Sequence, residues 1–337
     1  MAKRRKAAPS GRRKASVRRR RASAPTTAFP GPPVPRSRAV WLDGPVPKGY
    51  WNRLENRRLY MRWLGRKLGF RKIEDWYRIT TDAFKQHSGE TLLNNYWGGS
   101  AVEAVKKCFP GYDWKEWLFV VAPIRFWHDR RNHRRYMKWL GQQLGIQRPS
   151  DWYGVTNRDF NEHKGGALLL HYDSTVSQAI MSYLPRYDWK EWLFDKTPKG
   201  FWETRANRKR YVTWLGKELR FRRMNDWYAV TGEDFDNNHG KELLRFYGAS
   251  PVEVLKDCFP GHTWNEWIFA RVPRGFWDKR ANRRRYVRWL GRKLRIRKPE
   301  DWHKVRRQDF LDNYGGGLLV TRGSHFDVLK ECVLEFR

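Results

Sequence analysis

No aspartate or glutamate occurs before Asp43. Across residues 1–40, thirteen Lys or Arg therefore stand unopposed, among Ala, Pro and Ser, with Phe29 the only aromatic. So little apolar surface cannot offset the entropy of ordering, and residues 1–46 are predicted to be a disordered basic arm. Three readings of the arm stay open. Lys3–Lys6 and Arg18, Arg19, Arg20 and Arg21 fit a nucleic-acid-binding arm or a nuclear localisation signal. The Arg- and Ser-rich, acid-free composition also fits an organellar transit peptide, although residues 1–27 offer almost no aliphatic side chain for an amphipathic face. The third reading is a solubilising tail.

Cysteine is scarce. Three residues cannot build a disulfide framework or a four-thiolate zinc site. No apolar run approaches the roughly 18 residues that a membrane span needs. The phosphate-cradling Gly-x-x-x-x-Gly-Lys-Ser/Thr loop is missing, as are Gly-x-Ser-x-Gly, His-Glu-x-x-His and Cys-x-x-Cys. His87 and His163 occupy a position filled elsewhere by Asn238 and Asn313, so no metal site is expected. Neither cofactor nor catalytic residue is predicted, and the chain reads as non-enzymatic.

What is abundant is positive charge and aromatic surface. Seventy Lys or Arg against 35 Asp or Glu give a net charge of +35 in 337 residues. Twenty Trp, 15 Tyr and 18 Phe supply ample core. Such a charge limits the partners to nucleic acid, an anionic membrane face or an acidic protein.

The aromatics are periodic. The pairs Tyr50–Trp51, Phe126–Trp127, Phe201–Trp202 and Phe276–Trp277 recur at intervals of 76, 75 and 75 residues. Trp-Leu-Gly follows each pair (from Trp63, Trp139, Trp214 and Trp289), and Asp-Trp follows that (Asp75, Asp151, Asp226, Asp301). Three units close on Trp-x-x-Trp-x-Phe: Trp114 with Trp117, Trp189 with Trp192, and Trp264 with Trp267. The fourth lacks this motif and has no unit after it to pack against, which points to the Trp pair as packing for the joint between units. An internal period this strict defines the organisation: repeat 1 at 47–121, repeat 2 at 122–196, repeat 3 at 197–271 and repeat 4, truncated, at 272–337. The predicted fold is all-α. The motif set resembles a tandem Trp-Leu-Gly / Asp-Trp-Tyr repeat found in proteins of eukaryotic microbes. The resemblance covers residues 49–337 and departs at Ala83, at His303 and in the truncated last unit; it implies a modular build and no particular activity.

Each repeat begins with a predicted amphipathic helix, Trp51–Leu68 and its copies. At about 100° per residue, Tyr60, Trp63, Leu64 and Leu68 share one face. The opposite face carries Leu54, Arg58, Arg62 and Arg66 in repeat 1, and Arg130, Arg134, Lys138 and Gln142 in repeat 2. In repeats 3 and 4 it carries Arg205, Lys209, Thr213 and Lys217, then Arg280, Arg284, Arg288 and Arg292. Thirteen of these sixteen positions are basic. A single-sign stripe destabilises its own helix, so its side chains are expected to be exposed and unpaired, either as an anion-binding face or as a solubilising face of a basic protein. Asn56, Asn132, Asn207 and Asn282, at the edge of the apolar face, are expected to bond the next helix. Shorter helices follow, with capping boxes at Thr156 with Asp159 and Thr231 with Asp234, and a Ser250 N-cap before Pro251. Trp63, Trp76 and their copies are expected in the core, and the Asp before Trp is expected to cap a helix.

Together these observations predict a nucleic-acid-binding repeat protein. It would contact DNA or RNA phosphates through the basic helix faces and the arm, in a nucleus, a nucleoid or an organelle. Two alternatives remain: a multivalent scaffold that crosslinks an acidic protein partner, and peripheral binding to anionic lipid.

Overall fold

The computed structural model describes residues 39–333. Residues 1–38 of the predicted arm, including Arg18 to Arg21, lie outside them. All regular structure among the described residues is helical, and four similar sets of four helices follow one another. Repeat 1 holds α1 (Leu54–Lys67), α2 (Thr81–Gln86), α3 (Glu90–Trp97) and α4 (Ala101–Cys108). Repeat 2 holds α5 (Arg130–Leu144), α6 (Asn157–Glu162), α7 (Gly166–Leu169) and α8 (Val176–Tyr183). Repeat 3 holds α9 (Arg205–Glu218), α10 (Gly232–Asn237), α11 (Lys241–Phe246) and α12 (Pro251–Cys258). Repeat 4 holds α13 (Arg280–Lys293), α14 (Arg307–Asp312), α15 (Gly316–Arg322) and α16 (His325–Cys332). The chain forms two compact bodies. One runs to Tyr136 and includes 163–165; the other comprises Met137–Glu162 and the residues from Gly166 onward.

The aromatic-Trp pair does not open the long helix. It forms a separate 3-10 turn, and an extended residue (Arg53, Thr204 or Lys279) intervenes before the α-helix starts. The Asn two or three residues into each long helix reaches back to that turn rather than on to another helix. Asn56, Asn132, Asn207 and Asn282 donate their side-chain amides to the carbonyls of Tyr50, Phe126, Phe201 and Phe276 at 2.7–3.0 Å. This corrects the expected partner and shows the reason: a 3-10 turn ends with free carbonyls that need donors.

In repeats 1, 3 and 4 the long helix packs on the last helix of its own repeat, α1 on α4, α9 on α12 and α13 on α16. Close approach depends on glycine. A Cβ on Gly216 would stand 2.7 Å from the Trp227 indole, and one on Gly291 would stand 2.8 Å from Trp302. The Gly of Trp-Leu-Gly thus seats the Trp of Asp-Trp. The Gly-rich break has a similar cause: Gly240 lies against the Tyr211 hydroxyl, where any Cβ would clash.

The capping signals form as read. Asp234 accepts from the Thr231 amide at 2.8 Å while its own amide donates to Thr231 Oγ1 at 3.3 Å. Ser100, Ser250 and Ser324 each accept an amide at the start of the last helix.

The two closing tryptophans have separate duties. Trp114 packs inside its own repeat, with ring centroids 5.2 Å from Tyr77, and the Tyr77 hydroxyl accepts the Lys115 amide. Trp189 on Tyr153 and Trp264 on Tyr228 repeat this hook. The second Trp crosses to the next repeat. Trp117 meets Tyr136 at 5.5 Å, Trp192 meets Tyr211 at 5.4 Å and Trp267 meets Tyr286 at 5.5 Å, all nearly edge-on. The Glu before each of these tryptophans pairs with an Arg of the following long helix: Glu116 with Arg135, Glu191 with Arg210 and Glu266 with Arg285, at 3.0–3.1 Å.

Repeat 1 has no repeat before it, yet its receiving face is covered. Val40–Leu42 forms the same 3-10 turn as Glu116–Leu118. Trp41 sits on Tyr60 at 5.6 Å, as Trp117 sits on Tyr136. Where the joints have a Glu–Arg pair, this junction has Val40 and Leu59, both packed against the core. The segment around Trp41, assigned by sequence to the arm, belongs to the folded body.

Candidate nucleic-acid interface

The buried side of the long helix is not centred where the sequence pattern placed it. Trp63, Trp139, Trp214 and Trp289 are only half-buried, whereas Tyr, Met or Val, Leu and Gly are fully buried (Tyr286, Val287, Leu290 and Gly291 in α13). The core direction is rotated by about 50° from the expected one at 100° per residue. One end of the basic stripe therefore turns inward.

The consequence is a split among the thirteen cations. Arg58, Arg205 and Arg280 are not free. Arg58 Nε donates to the Cys108 carbonyl at 3.1 Å, Arg205 Nε to the Asp257 carbonyl at 2.8 Å, and Arg280 Nη2 to the Glu331 carbonyl at 3.4 Å. All three acceptors lie at the C-terminal end of the last helix, where carbonyls lack intrahelical partners and the macrodipole favours a cation. In repeat 1 the first stripe position is Leu54, which has no donor, and Arg58 one turn later takes over. Arg62, Arg66 and Arg284 are half-buried. Here the expectation of an exposed, unpaired stripe fails.

It holds for the remaining seven. Arg130, Arg134 and Lys138 on α5, Lys209 and Lys217 on α9, and Arg288 and Arg292 on α13 are exposed. None makes a hydrogen bond or ion pair among the described residues. Neither α5 nor α13 contains an acidic residue. More exposed cations flank the C-terminal end of each long helix: Arg71 and Lys72, Arg148, Arg222 and Arg223, Arg297 and Lys298.

The Asp of each Asp-Trp, close in sequence to these flanking cations, is engaged by the backbone. Asp75 Oδ2 accepts the amides of Arg71 and Lys72 at 2.7 and 2.9 Å. Asp151, Asp226 and Asp301 do the same. The amide bonds hold the Asp75, Asp151 and Asp226 carboxyls below the usual range, and Lys304 with the amides does so for Asp301. These are structural caps in their ionised form.

A set of buried cations escaped the sequence reading. Arg208 and Arg283 lie on the core side of their helices at 8% and 2% exposure. Arg208 Nη1 donates to the Trp202 and Glu203 carbonyls, both at 2.8 Å, and its Nε to Asp257 at 3.0 Å. Arg283 does the same with Trp277, Asp278 and Glu331. In repeats 1 and 2 the acid is replaced by Lys107 and Ser182, while the arginine is kept as Arg57 in repeat 1 and replaced by His133 in repeat 2. A basic residue next along the helix from a stripe cation resembles one more solvated charge; the acid in the last helix, 48 or 49 residues on, was the signal that could have found the pair.

Cys108 and Cys258 are buried, and burial pushes both thiols up to about 12, leaving no nucleophilic thiolate near neutrality. No group of His, Cys, Asp and Glu able to hold a metal occurs among the described residues, and no helix there is long and apolar enough to cross a membrane. Comparison with family models, curated proteins and solved structures yields no match.

Proposed function

We propose that the chain is a non-enzymatic nucleic-acid-binding repeat protein that contacts phosphates through the outer faces of α5, α9 and α13. One observation carries this reading: seven exposed Lys and Arg without internal partners, on helices of which two are acid-free. Successive stripe positions lie about 6 Å apart along the helix axis, so neighbouring cations can meet neighbouring phosphates. Phosphate binding needs no base code.

The test is a salt titration. Wild type and the R130Q/R134Q/K138Q variant are compared on duplex DNA. All three side chains are exposed, so the variant keeps its melting temperature. The slope of log K against log salt falls by about 0.9 for each phosphate no longer neutralised, and affinity falls alike on unrelated sequences. An unchanged slope in the folded variant overturns the reading for α5. Purification with and without nuclease separates the alternatives: an acidic protein that co-purifies after nuclease treatment favours the scaffold, and binding to anionic vesicles alone favours lipid.

A further inference from the structure

Trp302 differs from its three counterparts. Trp76, Trp152 and Trp227 are 0%, 3% and 5% exposed, whereas Trp302 is half-buried. In the other repeats a ring from the end of the last helix covers this indole: Phe109 at 5.2 Å, Tyr183 at 5.7 Å and Phe259 at 5.9 Å. Repeat 4 has Val333 at that place, and no aromatic ring among the described residues packs on Trp302. The hook that follows is missing too, since the Tyr of Asp-Trp-Tyr is His303, exposed to solvent. Trp302 instead lines a cleft of about 650 Å³, together with Arg288, Arg292, Arg297 and Lys298. The side chains of those four cations are exposed and unpaired, and Glu300 is the sole acid of the lining. One edge of the indole lies close against Gly291, where a Cβ would stand 2.8 Å from the ring.

We infer that this cleft in repeat 4 binds single-stranded nucleic acid, with an unstacked base on Trp302 and its phosphates on Arg288, Arg292, Arg297 and Lys298. The inference rests on the proposed function and narrows it. Two features decide for a single strand. A base in a duplex has no free face to offer an indole, and the ring position that no aromatic side chain among the described residues fills at Trp302 is the one that aromatic rings fill in the other repeats. A positively charged groove with an aromatic platform is the common arrangement for strand binding without sequence preference.

The experiment measures the affinity of the full chain for a short oligothymidine and for a hairpin duplex of the same length. Trp302→Leu lowers single-strand affinity by about 5- to 150-fold, the span of one base–aromatic stack, and leaves duplex affinity unchanged. Trp302→Phe, which keeps a ring, restores most of the loss. An equal fall on both probes, or no fall on either, overturns the inference. If W302L does not fold, the R297Q/K298Q variant decides: its single-strand salt slope drops by about 0.7 for each phosphate no longer neutralised, while the duplex slope holds. An unchanged single-strand slope overturns the inference. Failure of the wild type to bind either probe is a different outcome and refutes the proposed function itself.

Discussion

Replacing Glu331 by Gln removes a charge that three arginines share. Arg283 Nε reaches both carboxylate oxygens at 3.1 Å, while Arg280 and Arg322 approach to 3.7 and 3.5 Å. Arg283 is 2% exposed and cannot turn to water. Removing one partner of a buried pair costs about 3–5 kcal/mol, because the other charge stays buried. The Glu331 side chain keeps 23% of its surface in water, and Gln retains an acceptor oxygen. The expected loss is therefore near the lower end, about 3 kcal/mol. Native-state hydrogen exchange is the suitable assay, since a repeat array need not unfold in one step. Amides of α13 and α16 should exchange roughly 150-fold faster, at 1.36 kcal/mol per decade. Protection that changes less than about threefold in E331Q would refute a loss of this size.

The cause is tested by removing both charges. A buried ion pair exchanged for apolar residues is often neutral or stabilising, so R283M/E331L should recover most of the protection that E331Q loses. If the double variant stays as weak as the single one, an uncompensated charge is not the reason. The pH dependence has a definite sign. The Arg283 hydrogen bond, with the charges of Arg322 and Arg280, holds the Glu331 carboxyl below its usual value. A depressed carboxyl contributes its full stability above the unfolded value and loses it as pH falls through the folded one. The advantage of wild type over E331Q is therefore constant near neutrality and narrows below about pH 4.

Three further outcomes are expected. Trp41→Ala uncovers Tyr60, Trp51 and Trp63 and should cost about 3–5 kcal/mol, read as lost exchange protection in α1 with α13 unaffected. The E191V/R210L exchange, which copies Val40 and Leu59 into the joint of repeats 2 and 3, should shift urea stability by less than about 1 kcal/mol; a larger loss would mean that the Glu–Arg pair does more than fill the joint. Alkylation at mildly alkaline pH, followed by mass spectrometry, should leave Cys108 and Cys258 unmodified until denaturant is added, because burial raises both thiols to about 12.

The period, the helical class and the caps were legible because each depends on local chemistry. A Thr three residues before an Asp, or a Ser before a Pro, specifies a helix start whatever surrounds it. The stripe was legible only in part, because its phase depends on which side of the helix meets the core. Counting Trp63 and its copies as fully buried misplaced that side, and Arg58, Arg205 and Arg280 then proved to be caps for the last helix. Arg208 and Arg283 were hidden for a related reason: a basic residue reads as solvated until its carboxylate is found, and Asp257 and Glu331 lie 49 and 48 residues further along the sequence. Trp41 was missed because the other Trp hooks carry Glu, and here Val40 stands in that place.

The same pairings explain why the outer faces stay positively charged. The Asp of each Asp-Trp is held by backbone amides, the Glu of each joint by an Arg of the next long helix, and Asp257 and Glu331 by buried arginines. These carboxylates are fixed by geometry and cannot swing toward α5 or α13. Like charges along a helix repel, and with the acids committed the repulsion on those faces has no internal remedy. A polyanion is the external one. It removes the repulsion and releases its own counterions in the same step, so the stripe that weakens the isolated helix becomes a source of binding free energy. On this argument neutral Gln substitutions at Arg130, Arg134 and Lys138 should leave the free protein as stable as before or slightly more so, while weakening its complex. A salt-bridged, structural stripe would show the opposite, with stability lost and binding unchanged.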